Sequence, residues 1–142
     1  MNREGRLSQS VDNTMQTIYE VIRVIRNQPI FLSEHLQRMQ RSLDHYPGGR
    51  QLDLNFIRKQ VNNLALGHSV FNFNIRIEYH LEEDRYDFHI VSGVYPTTEM
   101  EQTGVRVVTF PYQRNHPNIK VYDAALRDAM DERKRANEAY DL

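Results

Sequence analysis

One lysine, Lys120, stands at the end of a polar loop and just before a predicted helix. An unprotonated lysine amine can attack an aldehyde and form a Schiff base, which requires burial or neighbouring cations that favour its neutral form. A loop end followed by a helix gives the amine a fixed position, and the positive end of the helix dipole disfavours an ammonium group. A solvated surface lysine is the ordinary alternative. Lys120 is therefore a catalytic candidate only in combination with other residues.

Arg38 is the residue best suited to bind a phosphate. A guanidinium is planar and always charged, and it can bond two phosphate oxygens at once. Arg38 follows His35 by one helical turn, in the order His-x-x-Arg near the start of a predicted helix. Arg41 is the competing candidate, and an exposed helical arginine is the ordinary alternative. His35 could orient this corner by hydrogen bonding, or it could be a partly buried helix histidine.

Tyr19 and Glu20 are neighbours on the first predicted strand, which covers residues 15–26. A tyrosine on a strand most often packs in the core with its hydroxyl at the edge. The chemical alternative is that Tyr19 borders a bound ligand. The two interpretations remain open at this point.

Other kinds of chemistry find little support. The chain has no cysteine, which excludes disulfides, thiolate nucleophiles and cysteine-based metal sites. Glu78, His80 and Glu82 share one face of a predicted strand, but successive residues on one face lie about 7 Å apart, so we predict a solvated hairpin and no metal site. The sequence contains no HExxH motif, glycine-rich dinucleotide motif, Walker loop or nucleophile elbow.

The composition is that of a single domain with a thin core. The length is 142 residues, of which 39% are hydrophobic. The formal net charge of -1 provides no long-range field that would attract nucleic acid or an anionic membrane. The N-terminus lacks the apolar stretch of a signal peptide, and no window approaches a membrane span. We expect a soluble, cytoplasmic protein that binds neither nucleic acid nor membrane.

The first elements must position Tyr19, His35 and Arg38. Residues 15–26 are apolar on both faces, which predicts a central strand. A turn at 27–29 and a short return strand at 30–32 would complete a hairpin. Ser33 is the predicted N-cap of the following helix. The apolar stripe of that helix consists of Leu36, Met39 and Leu43.

The later elements complete an α+β pattern. A second helix is predicted from a cap at Asp53 to Gly67, and a last helix begins at about Val121. Three further strands are predicted, at residues 71–80, 86–91 and 105–110. This order predicts an α+β domain with helices packed on one face of an antiparallel sheet. Residues 1–14 form a polar lead-in.

The last helix has a narrow apolar stripe. Small residues lie on one side at helical spacing, and much of the remaining surface is charged. Such a stripe cannot dock firmly by itself, so we expect a packing partner and a homo-oligomer. The residues on this side are Ala125, Ala129, Ala136 and Tyr140.

In sequence order, the Tyr-Glu strand, the His-x-x-Arg helix and the Ile-Lys loop resemble the N-terminal part of the class IV aminotransferases. These are fold-type IV enzymes that use pyridoxal 5'-phosphate (PLP), and they include branched-chain and D-amino-acid aminotransferases and aminodeoxychorismate lyase. The resemblance implies that Lys120 forms the Schiff base with PLP. It implies further that Arg38 binds the phosphate with His35 nearby, and that Tyr19 borders the substrate side.

The resemblance also implies an incomplete enzyme. Family members look like homodimers of two-domain chains with PLP at the domain interface, so residues 15–142 would be the N-terminal domain and the C-terminal domain would be absent. The glutamate that pairs with the pyridine nitrogen belongs to that second domain. We therefore expect half of an enzyme that transfers an amino group from an amino acid to a 2-oxo acid, inactive as this chain and binding PLP weakly or not at all.

Two departures from the family pattern follow the lysine, and two other functions remain open. Asp123 stands where the family usually has asparagine, and Ala124 and Ala125 follow where polar or aromatic residues are frequent. Asp123 could be an adaptation or the result of drift. The alternative functions are an aminodeoxychorismate lyase-like enzyme and a non-catalytic interaction domain derived from this fold.

Overall fold

A computed structural model describes residues 16–114 and 116–141. The predicted lead-in, residues 1–14, lies outside the described residues. No helix in the described part of the chain is long and apolar enough to cross a membrane. The elements are, in chain order, β1 Thr17–Ile25, β2 Gln28–Pro29, α1 Leu32–Leu43, α2 Leu54–Gly67, β3 Asn72–His80, β4 Arg85–Val91, α3 Thr98–Thr103 and α4 Ala124–Ala136.

The four strands form one antiparallel sheet in the order β2-β1-β3-β4. β1 lies between β2 and β3, which confirms the predicted central strand. In the register of β1 with β3, Tyr19 is opposite Glu78 and Glu20 is opposite Ile77. Since side chains alternate across a strand, Tyr19 and Glu20 project from opposite faces of the sheet.

The helices α1 and α2 cover the face of the sheet from which Glu20 projects. Their buried residues join alternate residues of β1 and β3 in one apolar core, which confirms the predicted α+β fold. By contrast, α4 contributes no buried residue. The core consists of Ile18, Ile22, Val24, Leu36, Met39, Leu43, Leu52, Ile57, Val61, Ala65, Phe73, Ile75, Ile77 and Tyr79.

The first hairpin turns earlier than the sequence predicted. Arg26 and Asn27 have φ values of 50° and 63°, and Ile25 pairs with Gln28. Two left-handed residues between paired strands make a type I′ turn, whose twist matches that of the strands. The return strand is therefore Gln28–Pro29, and the prediction of a strand at 30–32 is wrong.

The start of α1 also differs from the prediction. Phe31, with φ 52° and ψ 35°, is the N-cap residue, so the chain turns into the helix before Ser33 is reached. Ser33 is not the cap. Its hydroxyl oxygen instead accepts hydrogen bonds from the guanidinium of Arg58 on α2, at 3.2 Å. The predicted cap of α2 is confirmed, because Asp53 Oδ1 accepts from the backbone N–H of Phe56 at 2.9 Å.

The segment after β4 contains a short helix that was not predicted and lacks a predicted strand. α3 is capped by Thr97 and ends at Gly104, whose φ is 85°. Residues 105–110 contain one isolated parallel bridge, Val107 with Asp141, and the prediction of a strand there is wrong. A strand needs a continuous ladder of backbone partners. Here the bridge partner is a short stretch at the end of the described chain.

Lys120 is placed by the edge of β1. The backbone N–H of Tyr19 donates to the carbonyl of Lys120 at 3.1 Å, and that of Tyr122 donates to Thr17 at 2.8 Å. Ile18 and Val121 form an antiparallel bridge between these bonds. The chain is therefore extended at Val121, and α4 begins three residues later than predicted.

Candidate functional site

The side chain of Lys120 lies at the boundary between the two faces of the sheet. Its Nζ is 3.3 Å from Glu20 Oε2, on the face that the helices cover. The same Nζ is 4.9 Å from the centre of the Tyr19 ring, which belongs to the opposite face. The Lys120 side chain is 27% exposed. A single amine therefore contacts two groups of side chains with different surroundings.

Glu20 is the centre of the first group. Its side chain has no exposed surface, and its two oxygens accept three close hydrogen bonds. Arg38 donates from Nε to Oε1 at 2.6 Å and from Nη2 to Oε2 at 2.5 Å, which is the paired geometry that guanidinium and carboxylate groups favour. His35 Nδ1 donates to Oε2 at 2.8 Å. We call Glu20, His35, Arg38 and Lys120 the carboxylate cluster.

Glu20 is ionised at any ordinary pH. Burial alone would raise its pKa, but the hydrogen bonds from Arg38 and His35 and the charge of Lys120 outweigh burial and lower the pKa to about 2. The same contact raises the pKa of Arg38. A buried carboxylate without such partners would be very unfavourable. Burial of Glu20 in the carboxylate cluster therefore depends on the hydrogen bonds and positive charges of its partners.

Arg38 keeps donors that Glu20 does not use, whereas the single N–H of a neutral His35 is taken by Glu20. The Arg38 side chain is 47% exposed, and its Nη1 amino group takes no part in the pair with Glu20. The short bond from His35 Nδ1 to Glu20 places the proton of a neutral imidazole on Nδ1. The more distant contact of that atom with Arg38, at 3.3 Å, cannot then be a hydrogen bond.

Ser42 fixes the backbone of Lys120 against α1. The Lys120 N–H donates to Ser42 Oγ at 3.3 Å, and the Ser42 hydroxyl donates to the carbonyl of Arg38 at 3.1 Å. Ser42 is fully buried. The helix that carries Arg38 and the loop that carries Lys120 are thus joined through one hydroxyl group.

The second group is aromatic and lies on the other face. The rings of Tyr19 and Tyr122 meet edge to face, with centroids 5.7 Å apart. The Arg127 guanidinium carbon is 5.0 Å from the Tyr19 centroid and 5.3 Å from the Tyr122 centroid, and Arg127 Nη2 donates to the Tyr19 hydroxyl. We call Tyr19, Tyr122 and Arg127 the aromatic clamp. Lys120 contacts this clamp through the Tyr19 ring.

Of the sequence-predicted site residues, Lys120, Arg38 and His35 meet at Glu20, and Tyr19 contacts Lys120 from the opposite face of the sheet. A cleft of about 310 Å³ near Gly104 and Tyr140 is lined by other residues, so cleft size alone does not locate the cluster.

Sequence reasoning missed the roles of Glu20, Ser42 and Arg127. Glu20 could have been found, because an acidic residue among buried apolar neighbours on a strand must have a partner. Ser42 lies four residues after Arg38 on the inner side of α1, and that spacing was an available signal. Nothing in the sequence indicates that Arg127 would reach Tyr19.

The strand face that was dismissed as a metal site is more compact than predicted. His80 Nε2 lies 3.7 Å from Glu78 Oε2 and 3.0 Å from Asp87 Oδ2 on the neighbouring strand. The prediction that these two side chains diverge is wrong. Glu78, Asp87 and His89 bring ligand atoms within 4.8 Å of one another, and Glu82 lies in the turn outside this group.

Two arginines neutralise this carboxylate pair. Arg85 pairs with Asp87, and Arg76 Nε lies 2.8 Å from Glu78 Oε1, although this approach is not aligned for a hydrogen bond. A cation would have to compete with both guanidinium groups. We therefore interpret the group as an ion-pair network on the sheet, and its geometry does not favour a metal over the arginines.

The chain belongs to the amino-transferase class IV family, whose model matches residues 17–142. No curated protein sequence matches the chain.

Solved structures share the fold over about half of their length. A candidate branched-chain amino acid aminotransferase from Thermotoga maritima has a TM-score of 0.70 and 18% identity, covering 84% of this chain and 44% of that one. A candidate 4-amino-4-deoxychorismate lyase has a TM-score of 0.69 and 20% identity, covering 87% and 51%. A fold IV-transaminase from Curtobacterium pusillum has a TM-score of 0.64 and 18% identity, covering 87% and 48%. At these identities the likeness shows the fold alone.

Proposed function

We propose that this chain is the N-terminal half of a PLP-dependent aminotransferase and supplies the lysine that bonds the cofactor. The observation that carries the proposal is the position of the Lys120 amine, which contacts the carboxylate cluster on one side and the Tyr19 ring on the other. Class IV aminotransferases generally depend on PLP. The proposed reaction is the transfer of an amino group from an amino acid to a 2-oxo acid.

The donor set of the carboxylate cluster fits PLP. Glu20 carries one negative charge, whereas Arg38 and a charged Lys120 carry two positive charges, so the cluster is cationic even with His35 neutral. A phosphate dianion is attracted by such a surplus and is well matched by the unused Nη1 of Arg38. His35 contributes by orienting the cluster, and Lys120 provides the amine that bonds the aldehyde carbon. When bound, PLP supplies the electron sink for chemistry at the substrate's α-carbon.

The protein groups have distinct tasks in this proposal. Glu20 orients the Arg38 guanidinium through two hydrogen bonds, and Ser42 holds the Lys120 backbone at the edge of β1. Glu20 Oε2 also accepts a hydrogen bond from Lys120 Nζ at 3.3 Å, which fixes the position of the amine while no cofactor is bonded to it. Tyr19 borders the side from which substrate approaches. Preorganised groups of this kind contribute to catalysis by positioning.

A lyase is the second candidate function. The likeness to a candidate 4-amino-4-deoxychorismate lyase, at a TM-score of 0.69, is as close as the likeness to a candidate aminotransferase at 0.70. Both reactions would use the same lysine. They differ in reaction type, because a lyase cleaves its substrate by elimination and an aminotransferase produces a new amino acid.

The proposal has two further parts, which concern the activity of the 142-residue chain by itself and its self-association. We propose that the 142-residue chain alone has no turnover, because the solved structures are about twice as long as the region it covers. We also propose that the chain forms a homo-oligomer through α4, which has no buried residue and carries small residues on one side. Light scattering over a concentration series tests this, and a monomer at every concentration contradicts it. The cytoplasmic location stays a prediction.

The function is tested by cofactor spectroscopy and product analysis. PLP is titrated into the wild-type chain, Lys120→Ala and the matched control Lys134→Ala, and the visible absorbance of lysine-bound cofactor is followed. We expect a weak band that disappears only in Lys120→Ala. In a longer protein that includes this chain, cleavage of aminodeoxychorismate is compared with amino transfer from a panel of L- and D-amino acids. Equal bands in all three chains contradict the role of Lys120 and favour a non-catalytic interaction domain.

A further inference from the structure

Arg127 is a cation whose position is fixed by aromatic rings. It extends from the first turn of α4 toward β1, where its guanidinium lies about 5 Å from the centres of both Tyr19 and Tyr122. Nη2 donates to the Tyr19 hydroxyl. Stacking on aromatic rings suits a guanidinium because the ring faces are electron-rich. Two rings and one hydrogen bond thus hold an otherwise exposed side chain in one place.

Among the described residues, Arg127 has no carboxylate in direct contact, although its charge acts on Asp131, one turn further along α4, and helps to lower the pKa of that carboxyl. Lys120 and Arg38 share Glu20, and Lys134 pairs with Asp131 at 2.9 Å. Within residues 16–114 and 116–141, no carboxylate lies within ion-pair distance of the Arg127 guanidinium. Asp123, the nearest acid before it on the chain, is occupied as the N-cap of α4. The charge of Arg127 is therefore balanced in part by ring faces, a hydroxyl and the more distant Asp131, which already pairs with Lys134, and this leaves donors for an anion.

The anion would bind beside Lys120. The Lys120 amine and the Arg127 guanidinium both lie within about 5 Å of the Tyr19 ring centre. Lys120 is the proposed reacting amine, so an anion at Arg127 lies on the substrate side of that amine, opposite the carboxylate cluster. Every amino acid and 2-oxo acid carries a carboxylate next to the reacting carbon. A guanidinium binds carboxylates through paired, charge-assisted hydrogen bonds.

We propose that Arg127 binds the carboxylate of the amino-acid or 2-oxo-acid substrate. This proposal rests on the proposed function, because it assigns a substrate contact in the same site. Tyr19 and Tyr122 are positioning residues that hold the guanidinium. Arg127→Gln should weaken carboxylate binding about tenfold, since a hydrogen bond to a charged group contributes about 1.5–3 kcal/mol and tenfold corresponds to about 1.4 kcal/mol. Arg127→Lys should restore part of the loss, because it keeps the charge without the paired donors.

The test is an NMR titration of the isotope-labelled 142-residue chain with 2-oxobutanoate and with the neutral 2-oxobutanamide. We expect 2-oxobutanoate, and not the amide, to shift the signals of Tyr19, Tyr122 and Arg127. The affinity should fall about tenfold in Arg127→Gln and stay unchanged in the matched control Arg133→Gln, an exposed arginine of the same helix. A wild-type chain without carboxylate-dependent shifts overturns the proposal, as does an affinity that Arg127→Gln leaves unchanged.

The proposed function can fail separately. Bonding of PLP to Lys120 in Arg127→Gln is compared with the wild type by the same spectroscopy. We expect the two chains to bond PLP equally, because Arg127 does not contact the carboxylate cluster in the described part of the protein. If carboxylate binding follows Arg127 but PLP never bonds Lys120, the proposed cofactor role fails and the anion site stands. If Lys120→Ala abolishes carboxylate binding while Arg127→Gln does not, the anion site belongs to Lys120 and the inference about Arg127 is wrong.

Discussion

The charged side chains on the two sides of Lys120 are stabilised by different kinds of partner. On the helix-covered side, the carboxylate cluster surrounds the fully buried Glu20 with three nitrogen-bearing side chains. On the open side, the aromatic clamp holds Arg127 against two tyrosine rings, and no carboxylate among the described residues pairs with it directly. The first arrangement is largely satisfied from within the chain. The second is not, and its cation remains available to a ligand.

The difference indicates that the two groups of side chains around the Lys120 amine have different roles, one in stability and one in ligand binding. A buried ion cluster is strongly tied to the fold, because removing one partner leaves another charge without compensation. An exposed cation on a ring costs the fold little when it is removed. Changes on the helix-covered side should therefore affect stability, and changes on the open side should affect binding.

The largest expected effect is the loss of Glu20. Glu20→Ala should lower the free energy of unfolding by about 3 kcal/mol, the lower end of the range for breaking a buried ion pair, because Arg38 and Lys120 can still reach water. Arg127→Ala should change it by no more than about 0.5 kcal/mol. Urea unfolding of both variants measures the contrast, with Glu34→Ala as a control for an exposed acid of α1. Equal losses for Glu20→Ala and Arg127→Ala would remove the distinction between the two sides.

Acid should weaken the helix-covered side through Glu20. The pKa of Glu20 is about 2 in the folded chain against an ordinary value of 4.5, so its contribution is complete above about pH 4.5 and is lost as the pH falls toward 2. The shift corresponds to about 3 kcal/mol. The stability difference between wild type and Glu20→Gln should shrink over this range, whereas that of Glu34→Gln should not follow it. A difference that stays constant from pH 6 to pH 3 would show that Glu20 has no depressed pKa.

A smaller effect is expected where α4 begins. Asp123 Oδ1 accepts from the N–H of Leu126 at 2.9 Å and caps the turn that carries Arg127. Asp123→Ala should cost about 1 kcal/mol, and Asp123→Asn should be nearly neutral, because aspartate and asparagine cap helices about equally well. Thermal unfolding and amide exchange in the first turn of α4 measure this. If both substitutions are equally harmful, Asp123 has a role beyond capping.

Periodicity predicted the elements that pack on each other. β1, α1, α2 and β3 each bury a regular set of side chains, and alternate residues of β4, Tyr86 and Phe88, pack half-buried against them. Alternation or helical spacing is a direct consequence of that burial. The hairpin turn and the start of α1 were misplaced because left-handed residues at Arg26, Asn27 and Phe31 carry no glycine signal. The segment at 105–110 has strand-like residues, but strand formation depends on a partner elsewhere in the chain.

The sequence predicted which residues belong to the site but not the contacts that connect them. Lys120, Arg38, His35 and Tyr19 followed from the resemblance, and the structure brings them together. The resemblance drew attention to Tyr19, whereas its neighbour Glu20 makes the contacts that join the other three. Arg127 could not be predicted, because its contact with Tyr19 spans 108 positions in the sequence and depends on where α4 lies.

The central claim is that Lys120 is the cofactor lysine, and the chain offers an internal comparison because it has only three lysines, Lys59, Lys120 and Lys134. The wild-type chain is incubated with PLP and reduced with borohydride, and the fraction of each lysine that carries the pyridoxyl group is measured by peptide mass spectrometry. We predict at least about ten times more label on Lys120 than on either other lysine, equivalent to about 1.4 kcal/mol of preference. Equal labelling of the three lysines would contradict the account.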